Sequence, residues 1–154
     1  MASLMNLKTS FREVAALVLA VIGLVIYLMT SMTGYLAGTA MNVWPIVFTV
    51  VAVIAMLADI IVADRIPDIV RDVIVMVASA LLVASMAMFV MTRVTLAADV
   101  YFIPVNYPAA EADALHISIA GVACYLLADI VLIVEAFAAK RIARPTLIVE
   151  TAAA

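Results

Sequence analysis

Two aspartates stand inside long apolar stretches of this chain, in nearly the same local sequence. The segments "MLADIIVADR" at 56–65 and "LLADIVLIVE" at 126–135 both contain Leu-Ala-Asp-Ile, which places Asp59 and Asp129 at matching positions. A charged side chain at the centre of a membrane helix costs about 2.5 to 3.5 kcal/mol on insertion scales. We therefore expect both carboxylates to turn toward other helices or a hydrated cavity and not toward lipid.

Three roles are open to carboxylates in this position. In the structural interpretation, Asp59 and Asp129 accept hydrogen bonds or pair with Arg12 and Arg71, whose long side chains can snorkel along the bilayer edge. In the functional interpretation, Asp129, with Asp59 as its counterpart, binds a proton or cation in a transport cycle. In the third, an aspartate bonds to a partner chain and specifies assembly.

Polar neighbours extend the pattern around Asp129. Ser118, Tyr125 and Asp129 are separated by seven and four residues, spacings that place them on one face of a helix. We predict an inward polar stripe in which the Tyr125 hydroxyl meets the Asp129 carboxylate. The same spacing is also typical of ordinary tyrosine packing.

The surrounding composition indicates an all-α integral membrane protein. Of 154 residues, 69% are hydrophobic and 12% are charged, whereas a soluble domain is roughly half apolar and about a quarter charged. Four apolar runs reach the roughly 20 residues that cross a bilayer as helix. We predict one domain over 1–154, a four-helix transmembrane bundle with an outer loop at 92–114 and a tail at 140–154. The helices are expected at Val14–Gly38, Val43–Ala63, Val73–Met91 and Leu115–Ala139.

Basic residues predict the orientation. Of the eight Lys and Arg residues, all but Arg93 flank the same side of the predicted bundle. Because cytoplasmic loops retain Lys and Arg, we expect a multi-pass protein of the cell membrane with both termini cytoplasmic. The first apolar run is longer than a secretory signal requires, so we expect it to be a retained helix.

The repeated aspartate also raises the question of an internal duplication. "FREV" at 11–14 and "VRDV" at 70–73 each begin an odd-numbered predicted helix, as the two aspartates each lie in an even-numbered one. Two such helical hairpins would be related by a pseudo-two-fold axis along the membrane normal. Chance similarity in a chain rich in Ala, Leu, Ile and Val is the alternative.

The outer loop and its flanks offer weaker signals. Tyr101, Phe102 and Tyr107 predict either an aromatic belt or a surface that binds a partner. Glu111, Asp113 and His116 form a sparse set of metal-binding residue types, although Asp113 is equally a helix N-cap, and we predict no metal site. Glu13 fits a capping box with Ser10, and Glu135 fits a solvated charge at a helix end.

Function is bounded more by absences than by motifs. The sequence contains no phosphate-binding loop, nucleophile elbow or paired cysteines, and its single Cys124 fits apolar packing. We expect no enzyme activity, no cofactor and no nucleic-acid partner. The sequence favours a transport or channel component that handles protons or cations, assembled as a homo-oligomer. The alternative is a non-catalytic auxiliary or scaffold subunit bound to a larger membrane partner.

Overall fold

The chain folds into four long α-helices. The computed structural model describes residues 2–33, 36, 41–62, 66–102 and 109–142, and within them the side chains of 11–33, 36, 41–62, 66–102 and 111–137. The helices are α1 (Ala2–Met32), α2 (Trp44–Val62), α3 (Asp68–Phe102) and α4 (Ala109–Ile142). Each is long and apolar enough to cross a membrane. The predicted all-helical architecture with four candidate spans is confirmed.

Local sequence explains where α2 and α3 begin. The Asn42 side chain accepts a hydrogen bond from the Trp44 backbone N–H at 3.1 Å, and Pro45 occupies the first turn, where its missing N–H is not needed. At the start of α3, the Pro67 carbonyl accepts from the N–H groups of Val70 and Arg71. Proline therefore marks both helix starts.

The expected outer loop at 92–114 is wrong over most of its length. Residues 92–102 continue α3 and residues 109–114 already belong to α4. The polar residues of this segment predict a loop, but buried apolar residues such as Leu96 and Leu115 occur between them. Leu96 and Leu115 pack with Leu36 in a small apolar cluster, which stabilises both helix extensions.

The helices form an up-down-up-down bundle. Arg12 meets Glu135, so α1 runs antiparallel to α4. Asp59 meets Arg71, and Thr49 meets Ser85, so α2 runs antiparallel to α3. Neighbours around the ring are α1, α2, α3 and α4 in that order. We call the end that holds Glu13 the N-terminal end and the opposite end the far end.

Close approach of α1 and α4 depends on two glycines. A Cβ atom on Gly121 would lie 2.7 Å from Ile26 Cγ2 and 2.9 Å from Phe89 Cε1. A Cβ on Gly23 would lie 3.0 Å from the Tyr125 ring. Small residues at such crossings let membrane helices pack backbone to backbone. This packing seats the ring of Phe89 edge-to-face with Tyr27, their centroids 4.9 Å apart.

Candidate functional site

Three acidic side chains converge inside the N-terminal end of the bundle. Glu13 of α1, Asp59 of α2 and Glu135 of α4 are each no more than 5% exposed. Arg71 of α3 and Arg12 of α1 surround them. We call these five residues the carboxylate cluster. All four helices contribute to it, so its geometry depends on the complete bundle.

Arg71 links two of the three carboxylates. Its Nε donates to Asp59 Oδ2 at 3.2 Å, and its Nη2 donates to Glu13. The contact between Arg71 and Asp59 is the one expected from the sequence. Arg12 contacts neither aspartate and donates instead to Glu135 Oε2 at 3.3 Å. Three carboxylates and two guanidinium groups leave a formal excess of one negative charge.

A small cavity lies among these carboxylates. It measures about 10 Å³, close to the space that one water molecule requires. Glu13, Asp59 and Glu135 line it together with Met56, Leu132 and neighbouring aliphatic side chains. Asp59 Oδ1 is buried and has no hydrogen-bond partner. An acceptor of this kind can take a hydrogen bond from a water or hold a proton.

Sequence reasoning missed two members of the cluster. Glu13 was explained as half of a capping box, and the Ser10 side chain of that box lies outside the described side chains. Glu135 was assigned to a solvated helix end, yet it is buried. The available signal was its spacing of seven residues from Ala128, because two helical turns return to the same face.

The predicted polar stripe on α4 divides into separate contacts. Asp129 is half-buried and accepts a hydrogen bond from Ser79 Oγ of α3 at 2.5 Å. The Tyr125 hydroxyl does not meet Asp129 and bonds instead with Thr49 Oγ1 of α2 at 2.8 Å. The expected contact is wrong because the long tyrosine side chain enters the bundle centre, whereas Asp129 turns toward α3. Ser118 also bonds elsewhere, with Arg93.

Asp129 thus differs from Asp59 in its surroundings. Ser79 lines a groove of about 400 Å³ between α3 and α4 near the N-terminal end, together with Asp72, Met76 and Phe137. Asp59, by contrast, is enclosed and paired with a cation. The matching Leu-Ala-Asp-Ile segments therefore place their carboxylates in unlike environments.

Arg93, for which the sequence analysis predicts no role, forms a second polar site at the far end. It is 7% exposed. Its Nε donates to Ser118 Oγ at 3.2 Å, and its Nη2 donates to the hydroxyls of Thr30 and Ser31 at 3.1 and 2.7 Å. Among the described side chains, no carboxylate forms an ion pair with it.

Aromatic rings complete the surroundings of Arg93. Its Cζ atom lies 5.6 Å from the centroid of the Tyr27 ring and 5.3 Å from that of Phe89. Both distances fall within the range of cation–π attraction. The positive charge is therefore stabilised by hydroxyl oxygens and ring faces in place of an opposite charge.

A layer of hydroxyl groups lies between the two charged regions. Thr49 Oγ1 lies 2.6 Å from Ser85 Oγ, and the Pro45 carbonyl is within hydrogen-bond distance of both hydroxyls, so one hydroxyl donates to the carbonyl while the other donates to its neighbour. Apolar side chains separate this layer from the carboxylate cluster, namely Ala16, Ala20, Ala52, Met56, Ala78, Leu82, Ala128 and Leu132. Within the described part of the bundle, the polar groups are thus stacked in levels with apolar packing between them.

The remaining predicted site residues do not converge. Tyr101 and Phe102 are exposed at the end of α3, and Tyr107 lies outside the described residues. Glu111 is buried, whereas Asp113 and His116 are exposed on α4. Among the described residues, no three acidic, cysteine or histidine side chains are grouped so that they could hold a metal ion.

The comparisons with known proteins found no relative of this chain. No protein-family model matches this chain, and neither the curated proteins nor the solved structures returned a similar one.

Proposed function

We propose that this chain is a transport or channel component that handles protons or small cations at the carboxylate cluster. The supporting observation is the unpartnered Asp59 Oδ1 beside a water-sized cavity that three buried carboxylates line. With one negative charge in excess over the two arginines, the cluster attracts a positive charge. A proton is the simplest occupant of that charge balance, since no three of the described acidic side chains are grouped so that they could hold a metal ion.

The size of the cavity restricts the occupant. A volume of about 10 Å³ admits roughly one water molecule. The occupant of the cavity itself is therefore a single water molecule or a proton that resides on a carboxylate. Larger substrates require Arg71 to move away from Glu13 and Asp59, which would open the space that its side chain now fills.

Transport through the bundle also requires a path past the apolar layer beyond the cluster. Asp129 is the next carboxylate in that direction, six residues from Glu135 and about 9 Å farther along α4. Because Asp129 lies near the groove between α3 and α4, we propose that the path continues along the surface of this helix pair. A homo-oligomer that covers this groove would shield the path from lipid.

Proton and cation flux in liposomes tests the proposal. We expect Asp59→Asn to abolish flux, because the change removes the charge and keeps the side-chain size. Asp129→Asn should reduce flux strongly. The matched control is Asp113→Asn, an exposed aspartate at the far end, which should leave flux unchanged. Undiminished flux in both Asp59→Asn and Asp129→Asn would refute the proposal.

Orientation and internal symmetry belong to the same proposal. We propose that both termini are cytoplasmic and that the chain resides in the cell membrane, since seven of the eight basic residues flank one side. Reporter fusions at the two termini test this orientation. The related-hairpin hypothesis stays a prediction; the different partners of Asp59 and Asp129 are a departure from symmetry that it must accommodate.

A second candidate function is an auxiliary subunit that binds a larger membrane protein. The observation that favours it is the pair of exposed rings at the end of α3, Tyr101 and Phe102, which are 64% and 82% exposed. Purification in mild detergent separates the two functions. A homogeneous homo-oligomer without co-purifying proteins would count against the auxiliary role.

A further inference from the structure

The far end of the bundle carries a groove between α3 and α4 whose wall includes the Arg93 side chain. The groove measures about 220 Å³. Most of its wall is aliphatic, including Val90, Val94 and Ile119, and Tyr101 lies at its outer end. A buried cation at the wall of an apolar groove is an unusual combination, since charged side chains are seldom enclosed without a counter-charge.

One donor nitrogen of Arg93 is left over. Nε and Nη2 donate to hydroxyl groups, whereas Nη1 has no hydrogen-bond partner among the described residues. Nη1 is also not among the fully buried unpartnered atoms, which is consistent with access from the groove. A desolvated guanidinium that lacks an anion gains from any oxyanion that reaches it, because charge-assisted hydrogen bonds are about twice as strong as neutral ones.

The position of Arg93 along the bundle indicates which anion is available. Its partner Ser31 is 18 residues from Glu13 along α1, about 27 Å, close to the roughly 30 Å of a hydrocarbon core. When the carboxylate cluster lies at one boundary, Arg93 lies at the other. The exposed ring of Trp44 at the far end fits this headgroup depth, and Tyr101 lies about 12 Å farther out along α3.

We propose that Arg93 and this groove bind the phosphate of a membrane phospholipid. The phosphate accepts from Nη1, and the lipid's acyl chain runs past Val90 and Val122 toward the bilayer centre. This inference is independent of the function proposed for the carboxylate cluster.

Nearby acidic residues restrict the headgroup. Asp99, Glu111 and Asp113 all lie at the far end, and Glu111 Oε2 is buried without a partner. Their negative charges repel a headgroup that carries more than one negative charge. A single phosphodiester, as in phosphatidylglycerol, is therefore the preferred ligand class.

Native mass spectrometry of the full chain in mild detergent tests this site. Phosphatidylglycerol is the probe, and digalactosyldiacylglycerol serves as the lipid without phosphate. We expect the chain to retain phosphatidylglycerol in preference to the galactolipid. Arg93→Gln should weaken that retention about tenfold, the loss of one charge-assisted hydrogen bond.

A second pair of variants keeps the test independent of the charge. Val94→Trp fills the groove and should also lower retention, whereas Val83→Trp, a similarly exposed position on α3, should not. Undiminished retention in both Arg93→Gln and Val94→Trp would overturn the proposal. So would equal retention of the galactolipid, or displacement of the lipid by excess inorganic phosphate, which would indicate a site for a free anion.

Discussion

The two ends of the bundle neutralise buried charge by different means. At the N-terminal end, arginines face carboxylates, and ion pairs link all four helices. At the far end, Arg93 is held by hydroxyl groups and aromatic rings. Removing one partner of a buried ion pair lowers the free energy of unfolding sharply, because the other partner stays behind as an unpaired charge. A cation held by neutral groups can be replaced by an apolar residue without leaving such a charge. The comparison therefore predicts unequal sensitivity to mutation.

The largest effect is expected from Arg71→Met. The variant leaves Glu13 and Asp59 buried without their shared cation, and breaking a buried ion pair costs about 3 to 5 kcal/mol. Because the Arg71 side chain is 29% exposed, we expect the lower end of that range in the free energy of unfolding. Equilibrium unfolding in mixed micelles measures it.

A neutral version of the cluster is the control for Arg71→Met. Adding Glu13→Gln and Asp59→Asn to Arg71→Met removes both orphaned charges and should recover most of the lost stability. If Arg71→Met alone lost less than about 1 kcal/mol, a typical value for exposed pairs, the ion pairs would not hold the N-terminal end together.

Arg93→Met should have an intermediate effect. Thr30 and Ser118 already donate to the Ile26 and Ala114 carbonyls at 2.8 and 2.7 Å, so their hydroxyls stay bonded after the arginine is removed. The variant loses the neutral hydrogen bonds and ring contacts, but it no longer has to hold a charge away from water, and the two effects partly cancel. We therefore expect the free energy of unfolding to fall by about 1 to 2 kcal/mol. The same unfolding measurement applies. A loss greater than that of Arg71→Met would reverse the comparison between the two ends.

The smallest effect is expected from Arg12→Gln. The Arg12 side chain is 43% exposed, and a glutamine amide can still donate to Glu135. Exposed ion pairs contribute about 0.2 to 1 kcal/mol; because the Glu135 carboxylate is itself buried, we expect a loss near the top of that range, still below that of Arg93→Met. A large destabilisation here would mean that Arg12 and Arg71 act as one network, which a double-mutant cycle would measure as coupling.

Composition and periodicity predicted the architecture but not the inward faces. Four apolar runs were sufficient to predict four helices, because backbone groups in lipid require helical hydrogen bonding. The end of α3 is predicted too early because Arg93 and its polar neighbours indicate a loop, although Arg93 and Leu96 are both buried within the helix. Apolar residues surround each helix on all sides, so the pattern could not distinguish a face that contacts lipid from one that contacts protein.

The sequence predicted one contact of the candidate site, the pair of Asp59 and Arg71, and missed the others. An aspartate within an apolar run has to find a partner, which made Asp59 and Arg71 a foreseeable pair. Glu13 and Glu135 had plausible explanations near helix ends, and only the three-dimensional arrangement brings them to one cavity. The Tyr125 contact was misjudged because helical spacing places residues on one face without determining how far each side chain reaches.

The order of the ion pairs along the chain bears on how the protein is made. Asp59 and Arg71 belong to adjacent helices joined by a short connection, so these charges can neutralise each other while the ribosome is still translating the second half. Arg12 and Glu135 belong to α1 and α4, so they can meet only after α4 has been synthesised. Until then Arg12 lacks the one ion-pair partner it has among the described side chains, whereas Glu13 can already pair with Arg71. Docking of α4 against α1 is thus the step that completes the carboxylate cluster, because it brings Glu135 to Arg12.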